Sequence, residues 1–413
     1  MKNKSIVLAC AILLLIGCHR KWALPPEIQP SPREFTAFEK TLLQTSNGFG
    51  IELFRELAQE EKTQNLCVCP LSVSMALGMA WNGAGGDTKS EIQRVLGFGD
   101  WAPEQINQTY KNILDLLPNL DPHTVLSIAN SIWYREHFPI HPSFIQLNQT
   151  FFYASVRGLD FNSPQAPQII NQWVNTQTRG KITEIIESEF IDPTTMLFLI
   201  NAVYFKGTWM SPFDPKNTRE DVFVSSEGDS LSCQMMHQEG EFSYDENETF
   251  QAVDLPYGNG AFSMTIFLPK PGHSIHEFID SWTETQWNEW ISRLHPVSLM
   301  LQMPKFKVED KRILNNALTT LGMGIAFDPT KADFSPMVVK EDVSIEDNLF
   351  IQQVLHKTFL EVDEKGTEAA GVTSISVGIV SVRPVMRIDR PFVCVIRETS
   401  SNTLLFIGRI LRV

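Results

Sequence analysis

The sequence has little of what most enzymatic and nucleic-acid-binding chains need. It contains no Gly-x-Ser-x-Gly elbow, no His-Glu-x-x-His pair, and no glycine-rich phosphate loop ending in Lys-Ser or Lys-Thr. That removes the local signatures of serine hydrolases, zinc peptidases and P-loop nucleotide enzymes, and the chain reads as a non-enzyme. Lysine and arginine form no run, and the formal net charge is −14, so nucleic acid and heparin-like polyanions are poor partners. Only six cysteines occur, and Cys67-Val-Cys69 fits neither a zinc site nor a dithiol redox motif. Cys67, Cys69, Cys233 and Cys394 are expected as buried structural thiols, and neither metal nor cofactor is expected. No repeat period and no regular alternation of strands and helices appear, which favours a single α+β body over a doubly wound sheet.

The start of the chain is the first positive signal. Met-Lys-Asn-Lys precedes the apolar run from Ser5 to Gly17, which has signal-peptide length and is too short to span a bilayer as a mature helix. Leu15-Ile16-Gly17-Cys18 resembles a bacterial lipobox, which implies cleavage after residue 17 and lipidation of Cys18. Pro25, Pro26, Pro30 and Pro32 then suggest an extended tether. The expected organisation is a signal peptide over 1–17, an anchor and tether over 18–45, and one folded domain over 46–413. The lipid implies attachment to a bacterial envelope, and His19 in place of an aspartate favours the outer membrane; plain secretion is the alternative. Asn107-Gln-Thr, Asn148-Gln-Thr and Asn247-Glu-Thr are glycosylation triplets that a bacterial source would leave unused.

Periodicity and turn signals predict helices over Asn47–Ala58 with Ser46 as N-cap, over Leu71–Asn82 entered through Pro70, and over Thr88–Leu96 with Thr88 and Glu91 at capping-box spacing. Pro103–Leu117 and Pro164–Arg179 read as helices too. Strands are predicted over Val125–Tyr134, Met196–Phe205, Gln251–Tyr257, Phe262–Leu268, Val297–Phe306, Phe359–Val362, Phe392–Arg397 and Thr403–Ile410.

Between the strand at Phe359 and the strand at Phe392 lies an anomalously long connection, and connections of that length are usually functional or disordered. From Ala369 to Val382 it has neither charge nor proline. Alternate residues Thr367, Ala369, Gly371, Thr373, Ile375, Val377 and Ile379 run from small to aliphatic, while the other set is small and polar. This is the pattern of a strand with one buried side. Thr367 to Val380 would span roughly 45 Å when extended. A compact body of this size has a diameter on the order of 55 Å. By pattern alone the stretch could equally be an ordinary strand already paired in a sheet.

Phe359-Leu-Glu-Val-Asp-Glu-Lys-Gly-Thr-Glu-Ala-Ala370 resembles the hinge signature of serpins. The similarity runs on through Asn171–Ile182, Leu199–Trp209, His356-Lys357 and Leu405–Arg409, over nearly the whole chain from about Asn47. The resemblance implies a fold of three β-sheets and eight or nine helices, with an exposed reactive-centre loop. It implies a suicide inhibitor of serine proteases: the protease attacks the loop, forms an acyl-enzyme, and is trapped when the loop enters the central sheet as an extra strand. A monomer is the default, though a loop with this strand pattern could also add to a neighbour's sheet. Glu364, Gly366, Thr367, Glu368, Ala369 and Ala370 match the loop hinge. Taking Glu364 as the hinge glutamate, seventeenth before the cut, places the reactive bond at Val380-Ser381, which suits an elastase-like pocket. Arg383, followed by Pro384, is the competing position. Ser72, Asn201 and His356 match the region where the sheet opens, and Trp209 its top. Cys69 stands where many members have serine, and a thiol is the weaker donor. The small hinge residues favour an inhibitor over the carriers and chaperones that also occur in the family.

Overall fold

The computed structural model describes residues 33–187, 190–191, 195–339, 348–367 and 384–413. Among them are nine α-helices: α1 (Ala37–Glu60), α2 (Pro70–Trp81), α3 (Gly86–Val95), α4 (Pro103–Leu116), α5 (Pro142–Phe152), α6 (Ala166–Gln177), α7 (Ile275–Ser281), α8 (Glu284–Arg293) and α9 (Asn315–Thr320). No helix among these residues is long and apolar enough to cross a membrane. The strands, in chain order, are β1 (Leu66–Val68), β2 (Thr124–Arg135), β3 (Ser155–Leu159), β4 (Leu197–Thr208), β5 (Arg219–Val224), β6 (Ser230–Glu246), β7 (Phe250–Tyr257) and β8 (Phe262–Pro269). They continue with β9 (His295–Pro304), β10 (Phe306–Ile313), β11 (Gln353–Asp363), β12 (Gly366–Thr367), β13 (Val385–Arg387), β14 (Phe392–Glu398) and β15 (Thr403–Ile410).

The architecture is the expected α+β one, with a difference in the number of sheets. Hydrogen bonding joins the described strands into two, a six-stranded sheet in the order β10-β11-β12-β4-β2-β3 and a nine-stranded sheet in the order β1-β15-β14-β8-β7-β6-β9-β13 with β5 on β6. β6 makes the join. Its start pairs with β5, its end with β7, and β9 runs alongside from Met235 to Tyr244, so two expected sheets share one continuous ladder. The apparent single strand over Val297–Phe306 also divides at Lys305, where the chain leaves one sheet and enters the other.

Three helix starts differ from expectation: α6 begins at Ala166, two residues after Pro164, and the other two differ for tertiary reasons. α1 begins ten residues before Asn47, capped by Thr36 in a capping box with Glu39, so folded structure reaches into the segment read as tether. Ser46 is buried inside the helix, and the Asn47 amide is used at long range: Nδ2 donates to Asn402 O at 3.0 Å and Oδ1 accepts from Leu404 N at 2.8 Å. α3 starts at Gly86, and the Thr88–Glu91 capping box is not made. Thr88 Oγ1 instead accepts from Asp333 N, and a Glu91 oxygen accepts from Ile325 N, each at 2.9 Å.

The core lies mainly between the two sheets around α2, whose residues are all buried. A smaller cluster covers the other face of the six-stranded sheet, where Ile170 and Val174 of α6 and Ile182, Ile185 and Ile186 pack on Phe198, Leu355 and Phe359. Arg409 closes α1 from within the core. Its guanidinium donates to the carbonyls of Ala58 (3.0 Å) in the last turn, Glu61 (2.5 Å) at the cap and Gln64 (2.8 Å) in the chain beyond, satisfying acceptors around the helix end. Burial lowers its pKa to about 10, which still leaves it charged at neutral pH. Arg409→Met keeps the stem and strands those carbonyls, so unfolding in urea is expected to show a loss of about 3 kcal/mol. A loss under about 0.5 kcal/mol would show that the cap adds nothing.

Candidate functional site

At the centre of the six-stranded sheet two parallel strands pair along one stretch and part beyond it. β11 and β4 run parallel and pair directly from Gln353↔Phe198 to Phe359↔Tyr204. Above that point they part, and β12 lies between them, antiparallel to both: Gly366 pairs with Thr208 and Asp363, Thr367 with Gly207 and Val362. Gly366 has φ +144°, and a Cβ there would stand 2.1 Å from the Gly207 carbonyl oxygen, so the approach requires glycine.

Side chains from several elements hold β12 and the turn before it in place. Trp209 donates from Nε1 to Asp363 O at 3.0 Å and from its backbone N to Lys365 O at 2.8 Å. Its ring stacks on Tyr257 with centroids 4.4 Å apart, and the Tyr257 hydroxyl shares a 2.7 Å hydrogen bond with Thr367 Oγ1. Glu364 sits 2.7 Å from Lys305 Nζ and accepts from Thr218 Oγ1 at 2.7 Å. Burial by itself would raise the Glu364 carboxyl, but the bonds from Lys305 and Thr218 outweigh it and hold it below the usual carboxylate range.

Further down, the two strands are locked by a buried amide and imidazole network. Cys69 N donates to His356 Nε2 at 3.0 Å, so Nε2 carries the lone pair and Nδ1 the proton, which goes to Asn201 Oδ1 at 2.8 Å. Asn201 Nδ2 in turn donates to Ser72 Oγ, to Ser72 O at 3.3 Å and to Asn130 Oδ1 at 2.8 Å. Burial pushes the His356 pKa down to about 3, which keeps the ring neutral. His356 and Asn201 are register partners across β11 and β4. A strand extended from β12 between them must therefore break this bond.

The sequence-derived residues thus fall into two clusters: Glu364, Gly366, Thr367 and Trp209 at the entrance, and Ser72, Asn201 and His356 at the lock. Thr218, Tyr257, Lys305 and Asn130 were not legible, because they meet the site from other elements without a local pattern. The Cys69 contact to His356 comes from the backbone N–H, which a serine would supply equally, so the weaker thiol donor does not bear on that bond. Glu368, Ala369, Ala370, Val380, Ser381, Arg383 and the lipidation candidate Cys18 lie outside the described residues. Cys67, Cys69, Cys233 and Cys394 are buried free thiols. Among the described residues no group of three or more His, Cys, Asp or Glu is placed to hold a metal ion. Of the glycosylation triplets, Asn107 and Asn148 are buried, and Asn107 exchanges reciprocal amide hydrogen bonds with Asn82.

The face of β4 and β11 opposite the lock is covered by the segment after α6. Lys357 Nζ holds it by donating to Glu184 O at 2.7 Å while pairing with Glu309 at 2.8 Å, and Lys311 pairs with Glu187 at 2.5 Å. A new strand between β4 and β11 would have to shift these contacts as well.

This arrangement has close counterparts. The family model described as Serpin (serine protease inhibitor) matches residues 44–413. Human antithrombin-III is 32% identical over 380 residues, covering 89% of this chain and 81% of that protein. Serpin B10 of Otolemur garnettii is 33% identical over 390 residues, covering 87% and 96%. Among solved structures, the thermophilic serpin tengpin in its native state superposes with a TM-score of 0.83 at 33% identity, covering 94% of this chain and 97% of that one. Human thyroxine-binding globulin, in complex with thyroxine, gives a TM-score of 0.83 at 27% identity, covering 91% and 99%. With Gly366 and Thr367 seated between β11 and β4 in a chain that the family model matches over residues 44–413, the protein belongs to the serpin (serine protease inhibitor) family.

Proposed function

We propose that this serpin is an exported inhibitor of elastase-like serine proteases, anchored to a bacterial outer membrane through Cys18 and cleaved at Val380-Ser381. The target's catalytic serine oxygen attacks the Val380 carbonyl carbon. The Val380–Ser381 amide bond breaks, the Ser381 amine leaves with a proton, and an ester joins the protease to Val380. Entry of the loop between β11 and β4 then outruns hydrolysis of the ester.

The observation that carries the reading is the seat of Gly366 and Thr367 between β11 and β4, antiparallel to both. Continuing that strand exchanges one parallel ladder for two antiparallel ones, which are the more stable kind per residue. The drive for insertion is thereby latent in the topology, and the His356–Asn201 lock opposes it.

Mixing the protein with an elastase and, separately, with trypsin tests this on denaturing gels. The expected result is a covalent complex with elastase and a released peptide beginning at Ser381 by mass spectrometry. Val380→Arg is expected to shift the preference to trypsin by about 100-fold or more, because a charged pocket discriminates strongly. Cleavage by both enzymes with no surviving complex would sink the inhibitory reading and favour a binding role like the one thyroxine-binding globulin's name describes. A complex with trypsin alone would move the bond to Arg383. The anchor is tested by labelled fatty acid, which should enter the wild-type protein and not Cys18→Ser.

A further inference from the structure

The turn after α6 holds an arginine in a conformation that suits glycine better. Arg179 has φ 53°, and the turn around it is fixed by Gly180 N donating to Asn175 O at 2.8 Å and Lys181 N to Thr178 O at 3.1 Å. Strain of this kind collects at functional sites. The arginine stands near Tyr204 of β4: burial raises the pKa of that hydroxyl, and the Arg179 charge pulls against the rise. Tyr204 is the register partner of Phe359 on β11, on the sheet face that α6 and the segment after it cover. Over the Phe359 ring lie two ammoniums, Lys181 Nζ at 5.6 Å and Lys307 Nζ at 5.0 Å from its centroid. Three cations thus converge on one spot from the turn and from β10. Arg179 and Lys307 are exposed and form no ion pair with any described residue. Glu361, the register partner of Lys307, forms none among the described residues either, and Glu309, opposite Phe359, is taken by Lys357 at 2.8 Å.

Like charges drawn together repel unless an anion lies among them. The aromatic ring positions both ammoniums, and the guanidinium offers a fork that matches two oxygens of one oxyanion. The net charge of −14, with Glu184 and Glu361 beside the spot, repels an extended polyanion, so the ligand is compact. We infer that Arg179, Lys181 and Lys307 form a site for a phosphate dianion, free or as a small monoester, on the outer face of the six-stranded sheet. Bound there, the anion ties the segment after α6 to β10 across β11. That segment has to shift before a strand can enter between β11 and β4, so the bound anion holds the sheet closed. Only this consequence rests on the inhibitory reading above; the site does not.

Calorimetric titration of the whole protein with inorganic phosphate, at an ionic strength held constant with chloride, tests the site. Saturable binding of one phosphate per chain is expected, with Arg179→Gln and Lys307→Gln each weakening it about fivefold and the double variant abolishing it. Lys40→Gln removes an exposed charge on α1 and should bind as wild type does. Glycerol phosphate separates the two sources: equal affinity assigns the site to monoesters, and affinity about tenfold weaker assigns it to the free ion. No heat beyond the chloride control, or equal weakening in Lys40→Gln, overturns the site. For the consequence, phosphate at twice its Kd should slow the spontaneous loss of inhibitory activity about threefold in wild type and leave Lys307→Gln unaffected. Phosphate that binds without slowing that loss overturns the clamp. A wild type that forms no covalent complex with any protease fails the inhibitory reading alone, and the titration still decides the site.

Discussion

On the proposed inhibitory function, Thr367→Arg is expected to turn the chain from an inhibitor into a substrate of the same protease. Thr367 is buried between Val362 and Gly207, with its hydroxyl on Tyr257. An arginine there must either bury an unpaired cation, at a cost of several kcal/mol, or withdraw the hinge from the slot. Either outcome removes the start of insertion while leaving the proposed bait at Val380-Ser381 as attractive to the protease as before. Trapping is a race between strand entry and ester hydrolysis, so a barrier higher by about 3 kcal/mol slows entry roughly 100-fold. The complex should fall from near one per cleaved loop to below about one in ten, with active protease recovered and the cut still at Val380. Titration of protease activity against added inhibitor measures this directly. Thr367→Ser, which keeps the hydroxyl and the volume, should behave as wild type. A Thr367→Arg protein that still traps its target one for one would show that the seat of β12 has no part in insertion.

The place of Gly366 was legible because its requirement is local: glycine where the backbone meets Gly207. Ser72, Asn201 and His356 were legible as residue identities, since each sits in a recognisable segment, and the structure joins them in one hydrogen-bond network. Its wiring was not legible. Nothing in the sequence around Cys69 says that its backbone N–H selects the tautomer of a histidine far along the chain. Lys305 and Thr218 escaped for the same reason, because they reach Glu364 from separate elements and obey no spacing rule. The misplaced start of α1 has the opposite cause. Thr45, Ser46, Asn47 and Gly48 look like a cap in isolation, yet the Asn47 amide is committed to the β14–β15 turn, and a helix passes through. Sequence reading held where a residue answers to its neighbours, and lapsed where it answers to another strand.

Acid is expected to open the lock, and the sign follows from the proton inventory. His356 is neutral in the closed sheet with its pKa near 3, and parting of β11 from β4 returns it toward its usual 6.5. Below pH 6.5 the open form therefore binds the proton that the closed form refuses, and closure weakens by about 1.4 kcal/mol per pH unit until about pH 3. At pH 5 the loss is about 2 kcal/mol, or roughly a thirtyfold rise in the open population. Other groups near the site titrate differently. Asp310, beside Arg312 on the same face of the sheet, is raised above the usual carboxylate value by burial, so acid favours its native form. Glu364 is held below the usual range, and its pairing with Lys305 is lost only in stronger acid. Weakening of closure on acidification from pH 6.5 to 5 is accordingly assigned to His356, since Asp310 acts in the opposite sense. Inhibitory activity left to stand without protease should decay up to thirtyfold faster at pH 5 than at pH 7.5, as the loop inserts uncut or enters a neighbour's sheet. His356→Gln retains a polar side chain without a titrating ring; its decay should be faster overall and flat across that window. A decay that steepens with acid equally in both proteins would assign the effect to carboxylates and remove His356 from the mechanism of opening.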